Sequence, residues 1–481
     1  MTNILLVTSN GTGMGHLTRQ AAVALSMHPS NQATIFSLSP GLPLVSELGI
    51  RCEYCPSYDR PWIASGQWNS YLYDRLTAVA EETGSEAILF DGVFPYGGFA
   101  NAAWRLREVA FVWLRRGMWK DTNLRALKKR HIFDLVIEPG DLASEDDTGP
   151  TSRIRDSVHV GPISILEPLG MLPRAEARSR LGLPTEGPVA LVTLGSGMLG
   201  DVAGPGGMVV KTLLEKTGDW HVAVTKSPVA VNEIPVGQAK RLTQLSGVYP
   251  LATYLSAFDM AVSSAGYNAV HELTPAGVPS LLVANTSTQT DDQVTRALSL
   301  ERQGLALATV DNDLESVEMK LHEMVRDNRR DELGRKSRET RSLMTGASET
   351  GRRMSGAAQT HHFRRMSVSD LARVGVERGK VLVQNTLGDE RTESLKRMLG
   401  RPPWPVYEKA QVTLSDATGG GGDADHLELA LVRSLSAEEL RLNQPIEHLL
   451  AGSSDDYEQK RREIIDLYYD VEPDEQSHLP R

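Results

Sequence analysis

Short apolar runs recur along the chain, each broken by small residues and followed by a helical pattern. Residues 4–8, 33–38, 87–90, 111–114, 189–194, 221–225, 260–262 and 280–284 are nearly continuous apolar runs, as expected of parallel strands buried on both faces. The intervening periods are helical: Leu17, Ala21, Val23, Ala24 and Leu25 in one case, Val270, Leu273 and Ala276 in another. Strand, small-residue turn, helix, strand is the unit of a doubly wound α/β sheet, whose ligands sit at the strands' carboxyl ends. The run at 189–194 enters Gly195-Ser196-Gly197 and so repeats the opening architecture, in which 4–8 enters Gly11, Gly13 and Gly15. Two Rossmann-like halves facing a cleft follow, at 1–165 and 188–360, joined by a linker at 166–187 within a proline-punctuated stretch (Pro162, Pro168, Pro173, Pro184, Pro188). Residues 313–356 read as charged closing helices. Beyond 361 the pattern changes to strands at 380–384, 408–414 and 427–432, a Gly419–Gly422 loop, and helices at 436–450 and 457–469. Residues 361–481 thus form a small α+β appendage, a regulatory or protein-docking unit.

At 481 residues, 40% hydrophobic and 23% charged, the chain is of ordinary globular composition and too long for one core. A net charge of −10 argues against a nucleic-acid-coating surface. No apolar run reaches the about 20 residues that span a bilayer, and the N-terminus reads as a first strand, not a signal peptide. A cytoplasmic location is expected, at most with peripheral contact at the inner face of the membrane. The two cysteines, Cys52 and Cys55, lack companions at metal-ligand spacing and read as reduced structural thiols.

The stretch 259–297 carries the chemistry. Small residues Ser263 to Gly266 let backbone N–H groups reach an anion at a helix N-terminus. Glu272 is placed to accept hydrogen bonds from paired sugar hydroxyls, and Asp292 and Gln293 return to the same sheet edge after the next strand. Phosphate, diol, then two more polar groups is the layout of a nucleotide-sugar site. At the opening turn, Gly11, Gly13 and Gly15 alternate and miss the dinucleotide spacing, while His16 sits at the turn's end. A solvent or capping histidine is one reading; a general base near neutral pH is the sharper one. Asp91, ending the run at 87–90, is either a turn cap or the partner that orients His16. Arg115, Arg116 and Lys120, just beyond the run at 111–114, are either a solvated face or an anion site for an acceptor phosphate. The aromatics Tyr58, Trp62, Trp68, Tyr71 and Tyr73 either line an acceptor surface or pack in a core helix. His361 and His362 read as a surface pair.

Gly266, Tyr267, Asn268 and Glu272, then Asp292–Gln293, resemble the donor signature of UDP-sugar-dependent GT-B glycosyltransferases of plant and macrolide type. GVPSLLVAN and GTGMGH are similar to the MurG-type N-acetylglucosamine transferases. The resemblance covers roughly residues 1–360 and departs at Ser264, where plant-type enzymes carry histidine. It implies a GT-B fold of two Rossmann-like domains. It also implies an inverting, metal-independent transfer of a hexose or N-acetylhexosamine from a UDP-sugar to an acceptor hydroxyl on a glycan, a lipid-linked saccharide or a small molecule. His16 would be the base and Asp91 its orienter. The donor would be held by Gly195, Ser196, Gly197, Tyr249, Leu251, Ser264, Gly266, Tyr267, Asn268, Glu272, Asp292 and Gln293. Gly13, Gly15, Arg115 and Arg116 would face the acceptor. No cofactor and no metal is expected, and no DxD-like motif stands at a site position. Two other readings stay open: a UDP-sugar 2-epimerase, which would want several carboxylates near the sugar, and a non-catalytic nucleotide-sugar-binding partner of another transferase.

Overall fold

The computed structural model of the protein describes residues 2–9, 13–57, 65–122, 124–195, 202–227, 234–235 and 239–361. Ser196, Gly197, Tyr58, Trp62, His362 and the expected appendage lie outside the described residues.

Two parallel sheets form the molecule. The first contains β1 (Asn3–Thr8), β2 (Gln32–Ser37), β3 (Arg51–Tyr54), β4 (Ala87–Asp91), β5 (Ala110–Leu114), β6 (Leu135–Pro139) and β7 (Val158–Val160), in the order β3-β2-β1-β4-β5-β6-β7. The second contains β8 (Val189–Thr193), β9 (His221–Lys226), β10 (Leu242–Ser246), β11 (Met260–Ser264), β12 (Ser280–Ala284) and β13 (Leu307–Val310), ordered β10-β9-β8-β11-β12-β13. The apolar runs are the central strands: β1, β4 and β5 are almost wholly buried, as are β8, β11 and β12. Each sheet reverses its winding once, between β1 and β4 and between β8 and β11, and there a crevice opens at the carboxyl ends. Thr8 pairs with Asp91 in the first sheet and Thr193 with Ser263 in the second, so both expected chemical clusters stand at these reversals.

Four helices position the site: α1 (Gly15–Ser26), α2 (Tyr267–Ala276), α3 (Gln293–Arg302) and α4 (Gly346–Thr360). α1 buries Leu17, Ala21, Ala22 and Val23 and follows the glycine-rich turn, with no side chain capping its first N–H groups. α2 starts at Gly266, equally uncapped, and stops at Gly277, whose φ of 76° is the left-handed conformation favourable to glycine.

Three expectations change. The segment 166–187 is packed structure: it holds helices Leu166–Leu169 and Arg174–Arg180, and the buried Arg178 guanidinium donates to the carbonyls of Ala257, Pro184, Thr185 and Gly187 and to Asp259. The last helix of the expected second domain, α4, lies on the first sheet instead. Met354 and Ala347 join the apolar cluster of α1 and β1, Asn31 donates to Ser355, and the Gly161 N–H donates to Glu349. His361 is no surface residue: it is nearly buried, with Nε2 3.1 Å from the Arg107 carbonyl. Trp68 is a core residue, buried in helix Ser65–Glu82 and donating to the Pro56 carbonyl at 2.6 Å, while Tyr71 and Tyr73 on the same helix are partly buried.

Candidate functional site

His16, in the first turn of α1, lies with Nδ1 2.7 Å from Asp91 Oδ1. Burial alone would push the Asp91 carboxyl up, but Arg19 and His16 outweigh it and hold it at about 2. Nδ1 also lies 2.8 Å from Nη2 of Arg19, which can only donate, so it stands between a donor and the acceptor Asp91. The shorter Asp91 contact favours the proton on Nδ1, and Nε2, which has no partner among the described residues, then presents its lone pair. Burial lowers the His16 pKa below its ordinary 6.5, Asp91 opposes this, and Arg19 and Arg116 add to it. The imidazole is therefore neutral and able to accept a proton at pH 7.

Glu272 on α2 is half-buried and has no hydrogen-bond or ion-pair partner among the described residues. Burial is the cause that raises it to about 8. Such an uncompensated carboxyl disfavours the ligand-free fold and suits a group that binds hydroxyls. Around the turn after β11, a Cβ placed on Gly266 would come only within 3.9 Å of Ser264 Oγ and Gln293 Nε2. One placed on Gly195, whose φ of 93° excludes most side chains, would lie 3.9 Å from Ser264 Oγ. Gly195, Ser264, Gly266 and Gln293 thus line one small open cradle at the uncapped start of α2. Gln293 accepts from the Asn285 N–H through Oε1, and its Nε2 has no partner among the described residues. A Cβ at Gly13 would meet nothing within 4 Å.

Several expected ligand contacts join the two halves instead. Tyr267 is buried; its hydroxyl donates to the Gly140 carbonyl at 2.9 Å and accepts from the Ile163 N–H at 3.0 Å. Asn268 donates to the Gly15 carbonyl at 3.2 Å and accepts from Arg19 at 3.0 Å. The Gly15 carbonyl is engaged in that contact. The Tyr249 hydroxyl reaches Thr18 on α1 at 3.3 Å, and Leu251 packs on the shared core. The Asp292 carboxylate caps α3, with Oδ1 accepting from the Thr295 N–H and Oδ2 from its hydroxyl. Each Asp292 oxygen thus already accepts one hydrogen bond from α3. Arg115 is a correction, fully buried against Glu138 and Asp156 and turned from the cleft. Lys120 donates to the Thr288 carbonyl. Arg116 keeps some exposure, pairs with Asp291 at 3.3 Å, and acts electrostatically on His16.

The residues that pattern reading misses are the buried ions. Arg296 is fully buried and donates to Asp141, Asp291 and the carbonyl of Ala265, so it fixes the small-residue turn from behind. Its carboxylate partners outweigh burial and raise its pKa, while Arg296 and Arg116 overcome the opposing burial to hold Asp291 at about 2. His271 is neutral: Nδ1–H donates to the Tyr267 carbonyl, and Nε2 accepts from the Leu142 N–H. Arg19 is another buried ion. One signal for it was in the sequence, since it follows His16 by three residues and so shares its helical face. Among the described residues no three His, Cys, Asp or Glu side chains converge as metal ligands would.

Comparison with solved structures fits this architecture. The glycosyltransferase SnogD from Streptomyces nogalater superposes with a TM-score of 0.51 at 14% identity, over 74% of this chain and 99% of that one. A UDP complex of MnaA from S. aureus gives 0.54 at 14% identity over 76% and 99%, and UDP-GlcNAc 2-epimerase from Neisseria meningitidis gives 0.53 at 13% over 73% and 99%. The fold is GT-B. Within it, residues 237–350 match the glycosyltransferase family 28 C-terminal domain, a span that holds the turn after β11, Glu272 and Gln293. Curated relatives are similar over part of the GT-B chain. The UDP-N-acetylglucosamine–N-acetylmuramyl-(pentapeptide) pyrophosphoryl-undecaprenol N-acetylglucosamine transferases of Acetivibrio thermocellus and Salinibacter ruber are 26% and 31% identical over 144 residues, 29% of this chain. This chain covers 39% and 38% of their lengths.

Proposed function

We propose that the protein is an inverting glycosyltransferase that moves a hexose or N-acetylhexosamine from a UDP-sugar to an acceptor hydroxyl. The single observation that carries this is the pairing of an oriented, neutral His16 on one half with an unpartnered Glu272 on the other, at the two winding reversals. The donor-domain match and the names of the partial relatives support the donor class.

In this reading Glu272 takes the ribose hydroxyls and the backbone at 248–251 meets the base. The diphosphate lies in the cradle of Gly195, Ser264 and Gly266, where the unpaired N–H groups of α2 oppose its charge. Gln293 Nε2 holds a sugar hydroxyl. His16 Nε2 removes the acceptor proton as the oxygen attacks the anomeric carbon from the face opposite the diphosphate. Asp91 stabilises the imidazolium that forms. Leaving-group charge falls on fixed backbone donors and Arg116, so the chemistry calls for no resident metal or cofactor. An acceptor on a lipid, as in the names of the relatives, would bring the protein to a membrane surface.

The 2-epimerases share the fold, so the outcome at the sugar must separate the readings. Incubation with UDP-hexoses and UDP-N-acetylhexosamines, with and without saccharide, lipid-linked and small-molecule acceptors, followed by NMR in deuterated water, does so. Acceptor-dependent UDP release with an inverted anomeric centre is expected. Deuterium at C2 with UDP retained would replace transfer by epimerisation.

A further inference from the structure

We infer that Arg19 is the positioning residue of the His16–Asp91 pair and ties its geometry to the docking of the second half. This deepens the transferase reading and rests on it for the reaction, though not for the geometry. Arg19 is 3% exposed, and three arms of its guanidinium are engaged. Nε donates to Asp91 Oδ2 at 2.9 Å and Nη2 to Oδ1 at 2.9 Å, a two-point grip that fixes the carboxylate plane, and Nη2 also stands 2.8 Å from His16 Nδ1 itself. Nη1 donates to Asn268 Oδ1 at 3.0 Å, in the first turn of α2, and Asn268 returns a hydrogen bond to the Gly15 carbonyl one residue before His16. The guanidinium also lies over the Tyr267 ring, 5.3 Å from its centroid. α1 and α2 are thus stitched at the base itself.

Each contact has a consequence for His16. With only the imidazole to hold it, Asp91 could rotate and offer either oxygen. The two-point grip leaves Oδ1 directed at Nδ1, and the adjacent cation keeps the carboxylate ionised, so it cannot donate to Nδ1 and reverse the tautomer. With Asp91 ionised and Oδ1 the closer neighbour of Nδ1, the proton is expected on Nδ1 and Nε2 bare, against the donor Nη2 that also faces Nδ1. The charged groups acting on His16 are Asp91 at the end of β4, Arg19 on α1 and Arg116 beyond β5. Loss of the Arg19 charge removes one cation from an acid–base pair and raises the basicity of the imidazole. Lysine would keep the charge and lose the fork. Displacement of α2 pulls on Nη1 and, through Asp91, on the ring.

The test is NMR of the full-length protein with labelled histidine, the His16 signals assigned by their loss in His16→Gln. Tautomer and titration are read in Arg19→Lys, Arg19→Gln and Asn268→Ala, and UDP-release kinetics are measured alongside. Wild type is expected to show protonated Nδ1 and bare Nε2. Arg19→Gln should move the titration up by roughly half a pH unit or more and mix the tautomers. Arg19→Lys should mix the tautomers with little titration shift and lower kcat by about 10–100-fold at nearly constant donor KM. Asn268→Ala should broaden the His16 signals while Asp91 stays gripped. Unchanged His16 signals in folded Arg19→Lys and Asn268→Ala, with only a lower Tm, would overturn the proposal and leave Arg19 a packing residue. Should Arg19→Gln not fold, those two variants decide. Altered His16 signals in a protein that transfers no sugar would retain the positioning role and overturn the transferase reading alone.

Discussion

Glu272 illustrates how a single side chain links site and stability. Its carboxyl is raised from an ordinary 4.5 to about 8 by burial. Between those values the native state keeps a proton that the unfolded chain has released, so stability falls as pH rises across the window. Glu272→Gln removes that loss. The variant is expected to unfold at higher denaturant concentration than wild type, with an advantage that grows from pH 5 to pH 8 and reaches on the order of 2 kcal/mol. The same change should weaken UDP binding, because an amide is the poorer partner for a diol. An advantage that shrinks with pH would show that Glu272 is ionised in the ligand-free protein. His16 gives the complementary case. His16→Gln should leave UDP binding intact and lower transfer by about 10²–10⁴-fold, the range for a lost general base. Because Arg116 and Arg19 reinforce the effect of burial, the acid limb of the wild-type rate should lie below pH 6.5. A limb above that value would place the imidazole in a different environment.

At the level of elements, the central strands were legible because burial on both faces leaves an uninterrupted apolar signature. β3, β7, β10 and β13 were not, being edge strands, with mixed patterns such as the LTQLS of β10, nor was β6, an interior strand whose LVIEP run is broken by Glu138 and Pro139. The small-residue turns announced both uncapped helix starts. What the sequence could not reveal was which polar groups are consumed by the fold. Asp292 and Asp291 are neighbours with opposite fates: one caps α3, the other is locked between Arg296 and Arg116. Tyr267 and Asn268 fit a donor motif and instead grip the first half, since contact partners across the two halves are set by docking and leave no local period. Arg296 tests this directly. Arg296→Met leaves Asp141 and Asp291 buried without their main partner and frees the Ala265 carbonyl. Denaturant unfolding should show a loss of about 3–5 kcal/mol. A loss under 1 kcal/mol would mean that the carboxylates rehydrate or protonate freely.

Across the whole molecule, the halves are fastened more firmly than a hinged pair facing an open cleft. Residues 118–120 cross to 290–292, where the Lys120 N–H donates to the Thr290 carbonyl and the Asp292 N–H to that of Met118. Met118 adopts a φ of 56°, unusual for a side chain of its size, at this crossing. Its side chain packs with Ala265, Val270 and Leu282 in an apolar cluster common to both halves. α4 closes the other side: a Cβ on Gly346 would come within 1.9 Å of the Gly161 carbonyl oxygen. Gly346→Ala should therefore push α4 off the first sheet and cost about 1–3 kcal/mol. Calorimetric scans should still show a single transition, and two separated transitions would mean that the halves fold independently. The proposed nucleotide site is tested most directly by titrating the full-length protein with UDP, TDP and GDP in a calorimeter, in wild type and Glu272→Ala. UDP is expected to bind in preference to the others, with proton release near pH 7 as Glu272 ionises, and binding should fall sharply in the variant. No UDP binding in wild type, or binding undiminished in Glu272→Ala, would contradict a nucleotide-sugar site built on Glu272.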